Sequence, residues 1–233
     1  AGNRAWFQLY AMPTTEQTMA LVDRARSSGY ETLILTVDVP QVARRLRDVR
    51  NGFEAPFRIG CRQFLDFARH PAWSLAMWRH GRPYPVNLDN NRFDRTASRA
   101  GANWAFLGQL RDNWRGKLIV KGVMSVSDAL RIRDAGADAI WVSNHGGRQL
   151  ASAPATANVL PLIRAAVGAD YPLIFDSGVR SGEDVVKALA LGADFVMLGR
   201  PLLFALGANG AKGLDGLLDE LTQEISTVMA QIG

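Results

Sequence analysis

Two periods of hydrophobic spacing alternate along this chain. Short apolar runs rich in β-branched and aromatic residues are followed by stretches with apolar residues every three or four positions. The runs Trp6 to Tyr10, Leu33 to Asp38, Leu118 to Gly122, Ala139 to Val142, Leu173 to Asp176 and Phe195 to Leu198 predict six buried strands. Helices are predicted from Thr14 or Thr15 to about Ser27, with Met19, Val22 and Ala25 on the inner side, and from Trp104 to Trp114. Others run from Ser125 or Ser127 to about Ala135, from Asn158 to Val167, from Glu183 to Leu191 and from Leu214 to Ile232. Gly29, Gly136 and Gly192 close three of them. Strands alternating with helices imply an α/β fold with a parallel sheet.

Residues 53 to 103 break this rhythm. Phe57, Phe64, Phe67, Trp73, Met77 and Trp78 lie there among prolines and arginines, with His70 and His80. A long excursion inside a single domain reads as a lid, a binding loop or a contact surface. The two histidines lack metal-ligand spacing and read as structural or solvated. A membrane-surface role for the aromatic and basic mixture has weak support from composition alone.

The chain of 233 residues is 48% hydrophobic and 21% charged, enough to bury a sizeable core. Its net charge of +5 is mild and mostly scattered, which does not indicate nucleic-acid binding and suits small anions. Cys61 is the only cysteine, so no internal disulfide or cysteine metal cluster is expected, and a reducing, cytoplasmic setting is. No apolar run approaches the ~20 residues of a transmembrane helix. The start, Ala1-Gly2-Asn3-Arg4, does not read as a signal peptide.

Chemistry-bearing residues gather where strands end. Gln8 and Tyr10 share one face of the first strand by its period of two. Thr36 and Asp38 end the second, and Arg44, Arg45, Arg47 and Arg50 follow; such a run is ordinarily a solvated face. Lys121 closes an otherwise apolar strand, a costly place unless it meets an anion or water. The fourth strand passes through Ser143 into His145, Gly146, Gly147, Arg148 and Gln149. An imidazole and a guanidinium three positions apart can serve one anionic substrate; the plain alternative is a loop histidine beside an exposed arginine. The last two strand ends carry Asp176-Ser177-Gly178-Val179-Arg180 and Gly199-Arg200. In a (β/α)8 barrel such ends bind phosphate through backbone N–H groups and a helix N-terminus; the alternative is two ordinary glycine turns.

These motifs occur in order: WFQLY, LTVDVP with its arginine run, LIVKG, VSNHGGRQL, DSGVRSGEDVVKALALGA and LGRP. Together they resemble the FMN-dependent 2-hydroxy acid oxidoreductases, the family of glycolate oxidase and of lactate and mandelate dehydrogenases. HPAWSLAMWRHGRP is most similar to the lactate and mandelate dehydrogenase branch, whose corresponding excursion contacts a membrane. The resemblance implies a TIM-type barrel, an FMN cofactor, a small (S)-2-hydroxy acid substrate, a homotetramer and peripheral membrane contact. It implies that His145 is the base and that Asp38 stabilises its imidazolium. Arg45 and Arg148 would bind the substrate carboxylate and Tyr10 a substrate oxygen. Gln8, Thr36 and Ser143 would contact the flavin, and Lys121 would sit at its N1/O2 edge. Asp176, Ser177, Gly178, Val179 and Arg180, with Gly199 and Arg200, would hold the phosphate region. Proton abstraction from carbon and hydride transfer both stay open, as does the electron acceptor.

Three departures matter. The family barrel has eight strands and this chain reads as six, the two absent units preceding Trp6 in the family. The family's C-terminal tail is short here, and Ala151 stands where an acidic residue usually follows RQL. The expected architecture is therefore one barrel domain over residues 1–233 with an insertion at about 53–103 and six of eight strand units. The other two are expected in a segment outside the chain or in a partner. The competing readings are a phosphate-binding isomerase or aldolase with Lys121 as a Schiff-base lysine, and a non-catalytic remnant.

Overall fold

The computed structural model describes residues 5–43, 45–52, 60–81 and 98–233. Arg44 and Phe57 lie outside the described residues. The chain divides into two compact units, residues 1–43 with 97–233, and residues 44–96.

The first unit is built on six parallel strands in strict chain order: β1 (Phe7–Tyr10), β2 (Thr32–Thr36), β3 (Lys117–Val123), β4 (Ala139–Val142), β5 (Leu173–Phe175) and β6 (Phe195–Val196). Connecting helices cover one face: α1 (Thr15–Ser27), α5 (Trp104–Asn113), α6 (Val126–Asp134), α7 (Thr156–Val167) and α8 (Gly182–Ala190). Leu9, Leu33, Leu35, Leu118, Val120, Ile140, Val142, Leu173 and Phe175 point outward into the sheet–helix core. The alternate residues Ile34, Ile119, Ala139, Trp141 and Ile174 form a second apolar cluster on the other face. One strand feeding two layers is the pattern of a barrel wall. The six strands form a partial (β/α)8 barrel, with β1 and β6 as its edges. The sheet curls enough that Trp6, just before β1, and Phe195, in β6, bring their rings within 6.5 Å.

Two helix starts follow the caps expected of them, and a third has a capping box of its own. Thr14 accepts from the Gln17 N–H and Ser125 from the Asp128 N–H, while Ser181 and Asp184 form a reciprocal capping box. Several boundaries differ from expectation, three of them instructively. Helix α7 begins at Thr156 rather than Asn158, because the buried Thr156 hydroxyl donates to Asp176 O at 2.9 Å. Strand β6 pairs over only two residues. The C-terminal helix α9 (Arg200–Ile232) starts 14 residues before Leu214, broken at Asn209 and Gly210. Its first half, PLLFAL, has no polar face, so its periodicity did not announce a helix; Gly210, at φ 56°, supplies the break.

At the amino ends of the strands one arrangement appears twice. Arg111 on α5 donates from Nη1 to Asp138 Oδ2 (2.9 Å), and the same oxygen accepts the Leu118 N–H at the start of β3 (2.9 Å). Arg164 on α7 donates from Nη2 to Asp194 Oδ2 (2.5 Å), which accepts the Leu173 N–H at the start of β5 (2.7 Å). Each aspartate closes a Gly-Ala-Asp turn, at 136–138 and at 192–194, whose glycine carbonyl also receives the arginine. Burial pushes the Asp138 carboxyl up, but the Leu118 N–H, Lys117 and Arg111 outweigh it and hold it below its ordinary range.

The second unit contains α2 (Leu46–Arg50), α3 (Cys61–Arg69) and α4 (Pro71–His80). His70 ends α3 and precedes Pro71, the first residue of α4, a position where the missing N–H costs nothing. Phe67 and Trp73 pack with ring centroids 4.8 Å apart, and the Ser74 hydroxyl donates to Phe67 O. Phe64, Leu65, Leu75 and Trp78 stay exposed, Trp78 at 85%.

Candidate functional site

The strand period of two places a polar row on the inward face at the carboxyl ends of the strands. Tyr10, Thr36, Lys121 and Trp141 are neighbours in register, from β1 to β4. One step beyond lie Asp38, Ser143 and Asp176. Gln8 donates to the Thr36 hydroxyl at 3.0 Å. The Lys121 ammonium is buried: Nζ donates to Ser143 Oγ at 2.8 Å and stands 3.4 Å from Asp176 Oδ2 and 3.9 Å from Asp38 Oδ2. It also lies 5.1 Å over the Trp141 ring. An ammonium out of water needs such partners, and here it has two carboxylates.

Asp38 joins Lys121 to the histidine. His145 Nδ1 is 3.1 Å from Asp38 Oδ1 and 3.2 Å from Oδ2. With the Nδ1–H directed at the carboxylate, Nε2 is left with a free lone pair. Asp38 can sit there because β3 bulges at Gly122, where the register slips between Lys121 and Val123. The imidazole stands on a short 3-10 turn (His145–Gly147), capped by Asn144 Oδ1 accepting from the Gly147 N–H at 3.1 Å. His145 itself takes φ 57°, and Ser143 Oγ accepts its N–H at 3.1 Å. Beyond the turn, Arg148 is exposed and Gln149 Oε1 accepts the Ala43 N–H.

These groups open on a cavity of about 580 Å3, within the ~300–1,000 Å3 usual for small-ligand sites. Its wall includes Gln8, Tyr10, Lys121, His145 and Arg148, and also Asp176 to Arg180, Gly199 and Arg200. At Gly178 and Gly199 a Cβ would meet nothing within 4 Å, so the backbone lies open to the cavity. Arg180 lies beside this cradle, its N–H bonded to Asp184 Oδ2, and Arg200 donates to Gly146 O at 2.9 Å. The Val179 side chain is buried in the sheet–helix core, which leaves its backbone for any ligand contact. Arg45 belongs to the second unit.

Two residues here escaped the sequence, and so did one contact of a third. Trp141 reads as one more buried strand residue, yet it faces inward beneath Lys121 with its indole N–H buried and unpartnered. Arg99 lies 4.6 Å over the Tyr10 ring although the two are far apart in the chain. Ser177, expected in the phosphate region, also contacts the histidine loop. The inward alternation of β4 was a usable signal for Trp141; nothing local signalled the other two.

Known proteins match this architecture. The family model described as FMN-dependent dehydrogenase matches residues 1–233. An L-lactate dehydrogenase of Bartonella tribocorum (strain CIP 105476 / IBS 506) is 40% identical over 244 residues, covering 100% of this chain and 63% of that protein. An (S)-mandelate dehydrogenase of Pseudomonas putida is 42% identical over 237 residues, covering 98% of this chain and 60% of that protein. The crystal structure of a monotopic membrane protein, (S)-mandelate dehydrogenase, superposes with a TM-score of 0.90 at 42% identity, over 97% of this chain and 62% of that one. The chain thus spans less than two thirds of the length of these relatives.

Proposed function

The chain belongs to the FMN-dependent dehydrogenase family, and from that premise we propose that it carries the flavin site of an enzyme oxidising an (S)-2-hydroxy acid, lactate- or mandelate-like, to the 2-oxo acid. The observation that carries this reading is the His145–Asp38 pair beside Lys121, on a cavity that ends in a glycine- and arginine-lined cradle. That donor set fits FMN: an open backbone with two arginines suits a phosphate, and a buried ammonium suits a ring that gains negative charge. Gly178, Gly199, Arg180 and Arg200 would hold the phosphate, with Asp176, Ser177 and the Val179 backbone beside it. Gln8 and Lys121 would line the ring, with Thr36 and Ser143 buried behind them as their hydrogen-bond partners. When bound, FMN supplies the acceptor for the substrate's two electrons.

The chain's own groups do the rest. Arg148, on the cavity wall, binds the substrate carboxylate through the guanidinium fork. Tyr10 bonds a substrate oxygen. His145 takes a proton at Nε2, and Asp38 at Nδ1 steadies the imidazolium. The His145 position thereby changes from neutral to positive beside a cluster holding two carboxylates and one ammonium. An isomerase or aldolase reading is less favoured, because Lys121 is engaged by two carboxylates and a serine rather than presented as a free amine. The purified protein is expected to be yellow with a flavin spectrum that bleaches anaerobically on adding lactate or mandelate. A colourless protein that takes up no FMN would reject the reading.

We also propose that the second unit makes a peripheral membrane contact. Phe64, Leu65, Leu75 and Trp78 are exposed on α3 and α4 beside Arg62, Arg69 and Arg79. A membrane-bound relative adds support. Among the described residues no helix is long and apolar enough to cross a membrane. Co-sedimentation with anionic vesicles is expected, and replacing Phe64 and Trp78 by serine should weaken it by roughly tenfold or more. No sedimentation at low salt would refute the contact.

A further inference from the structure

Two non-glycine residues of the described chain hold a left-handed backbone, His145 at φ 57° and Ser177 at φ 80°. Glycine adopts such a backbone freely, whereas serine does so under strain. What serine adds is a hydroxyl, and this one is fully engaged. Ser177 Oγ accepts the Gly146 N–H at 2.9 Å and the Asn144 N–H at 3.4 Å, and donates to Asp176 Oδ1 at 2.6 Å. Asn144 and Gly146 flank His145. The other carboxylate oxygen of Asp176 faces Lys121 Nζ at 3.4 Å. Lys121 leads back to His145 twice, through Ser143 Oγ, which accepts the His145 N–H, and through Asp38, which holds Nδ1. The polar contacts therefore form a closed circuit that begins and ends on the histidine turn.

We propose that Ser177 is a positioning residue for the base: its hydroxyl pins the backbone on both sides of His145 to the Asp176–Lys121 pair, fixing the spacing of imidazole and ammonium. The proposal rests on the reading of His145 as the base. Gly146 is gripped on both polar groups, its N–H by Ser177 and its carbonyl by Arg200. Both grips come from the two loops that form the phosphate cradle. The far end of the loop is anchored separately, by Gln149 on Ala43. Loss of the Ser177 hydroxyl thus loosens the turn that bears the histidine, which keeps its bonds to Asp38 and Ser143, while the neighbourhood of Arg148 stays in place. Ser177 lies on the cavity wall, half-buried and outside the apolar core, so the fold does not depend on it.

Ser177→Gly and Ser177→Ala, made in the full chain, separate positioning from support of the fold. In both, amide exchange at Gly146 and Asn144 is expected to quicken by roughly tenfold, the scale of one lost hydrogen bond. The downfield imidazole N–H signal of His145, assigned against His145→Gln among only three histidines, should broaden or vanish. The thermal midpoint of Ser177→Gly should match or exceed that of the parent, because glycine relieves the backbone. In the FMN-loaded protein, the limiting rate of flavin reduction should fall by about tenfold with KM nearly unchanged. Unchanged exchange at Gly146 in either variant would overturn the proposal, since the hydroxyl then pins nothing. So would a fall in the midpoint of Ser177→Gly with faster exchange throughout α7 and α8, which marks a purely structural residue. The exchange measurement needs neither flavin nor substrate. A parent chain that never reduces flavin therefore rejects the oxidation reading and leaves this result readable.

Discussion

His145→Ala should lower the rate constant of flavin reduction by about 100- to 10,000-fold, the usual worth of a positioned general base, while FMN stays bound. The separation follows from the geography of the cavity. The imidazole is held at Nδ1 by Asp38 at 3.1 Å. The cradle at Gly178, Gly199, Arg180 and Arg200 is held by bonds that do not involve the ring, Arg180 N–H to Asp184 and Arg200 to Gly146 O. Removing the ring therefore deletes the proton acceptor and leaves the phosphate grip. Asp38 keeps Lys121 within 3.9 Å, so its charge is not stranded. Stopped-flow reduction checks the rate, and a flavin titration of the same variant checks retention. A variant reduced as fast as the parent would remove His145 from the chemistry. Loss of both flavin and rate would place His145 in cofactor retention instead.

Gly122→Ala, a change of one methyl outside the reacting groups, should cost both stability and rate. At Gly122, φ is 102°, and a Cβ there would lie 2.5 Å from Asp38 Cβ, 2.7 Å from Cγ and 2.8 Å from the Asp38 backbone N. The last contact involves main chain and cannot be relieved by a rotamer change. Strained backbone of this kind costs about 1–3 kcal/mol and overpacking about 1–3 kcal/mol more. For a chain of this size each kcal/mol lowers the thermal midpoint by roughly 2–4 °C, so a fall of roughly 5–20 °C is expected. The displaced residue is the partner of His145, so flavin reduction should also slow by at least about tenfold. Thermal unfolding and single-turnover reduction of the same preparation check both effects. An unchanged midpoint would show that β3 yields without moving Asp38.

Much of the site was legible because strands alternate. Once Leu33 to Asp38 is read as a strand, Thr36 and Asp38 must share a face, as must Gln8 and Tyr10. Those faces meet in the sheet through register that parallel pairing enforces. The caps at Thr14 and Ser125 were legible for an equally local reason, a hydroxyl that accepts from a nearby N–H. What sequence could not supply was contact across distance. Ser177 bonds the amide of Gly146, 31 positions earlier, and Arg99 covers Tyr10 from a loop beyond the second unit. The helical start of α9 was hidden differently. Residues 201–206 carry no polar face to mark a period, and Leu203 and Phe204 remain exposed.

The paired Arg–Asp clamps have a consequence for how such a molecule changes over time. Both grip the incoming ends of strands, Leu118 and Leu173, while the titratable cluster occupies the outgoing ends. Mutational tolerance is therefore unevenly distributed along each strand. The rim bearing Tyr10 and Arg148 can drift in side-chain identity with little effect on the opposite rim. Asp138 and Asp194 have no such latitude, because losing either removes the acceptor of a strand amide and the carboxylate partner of an arginine together. Selection for new substrates and selection for persistence at higher temperature thus act on separate residues of the same six strands.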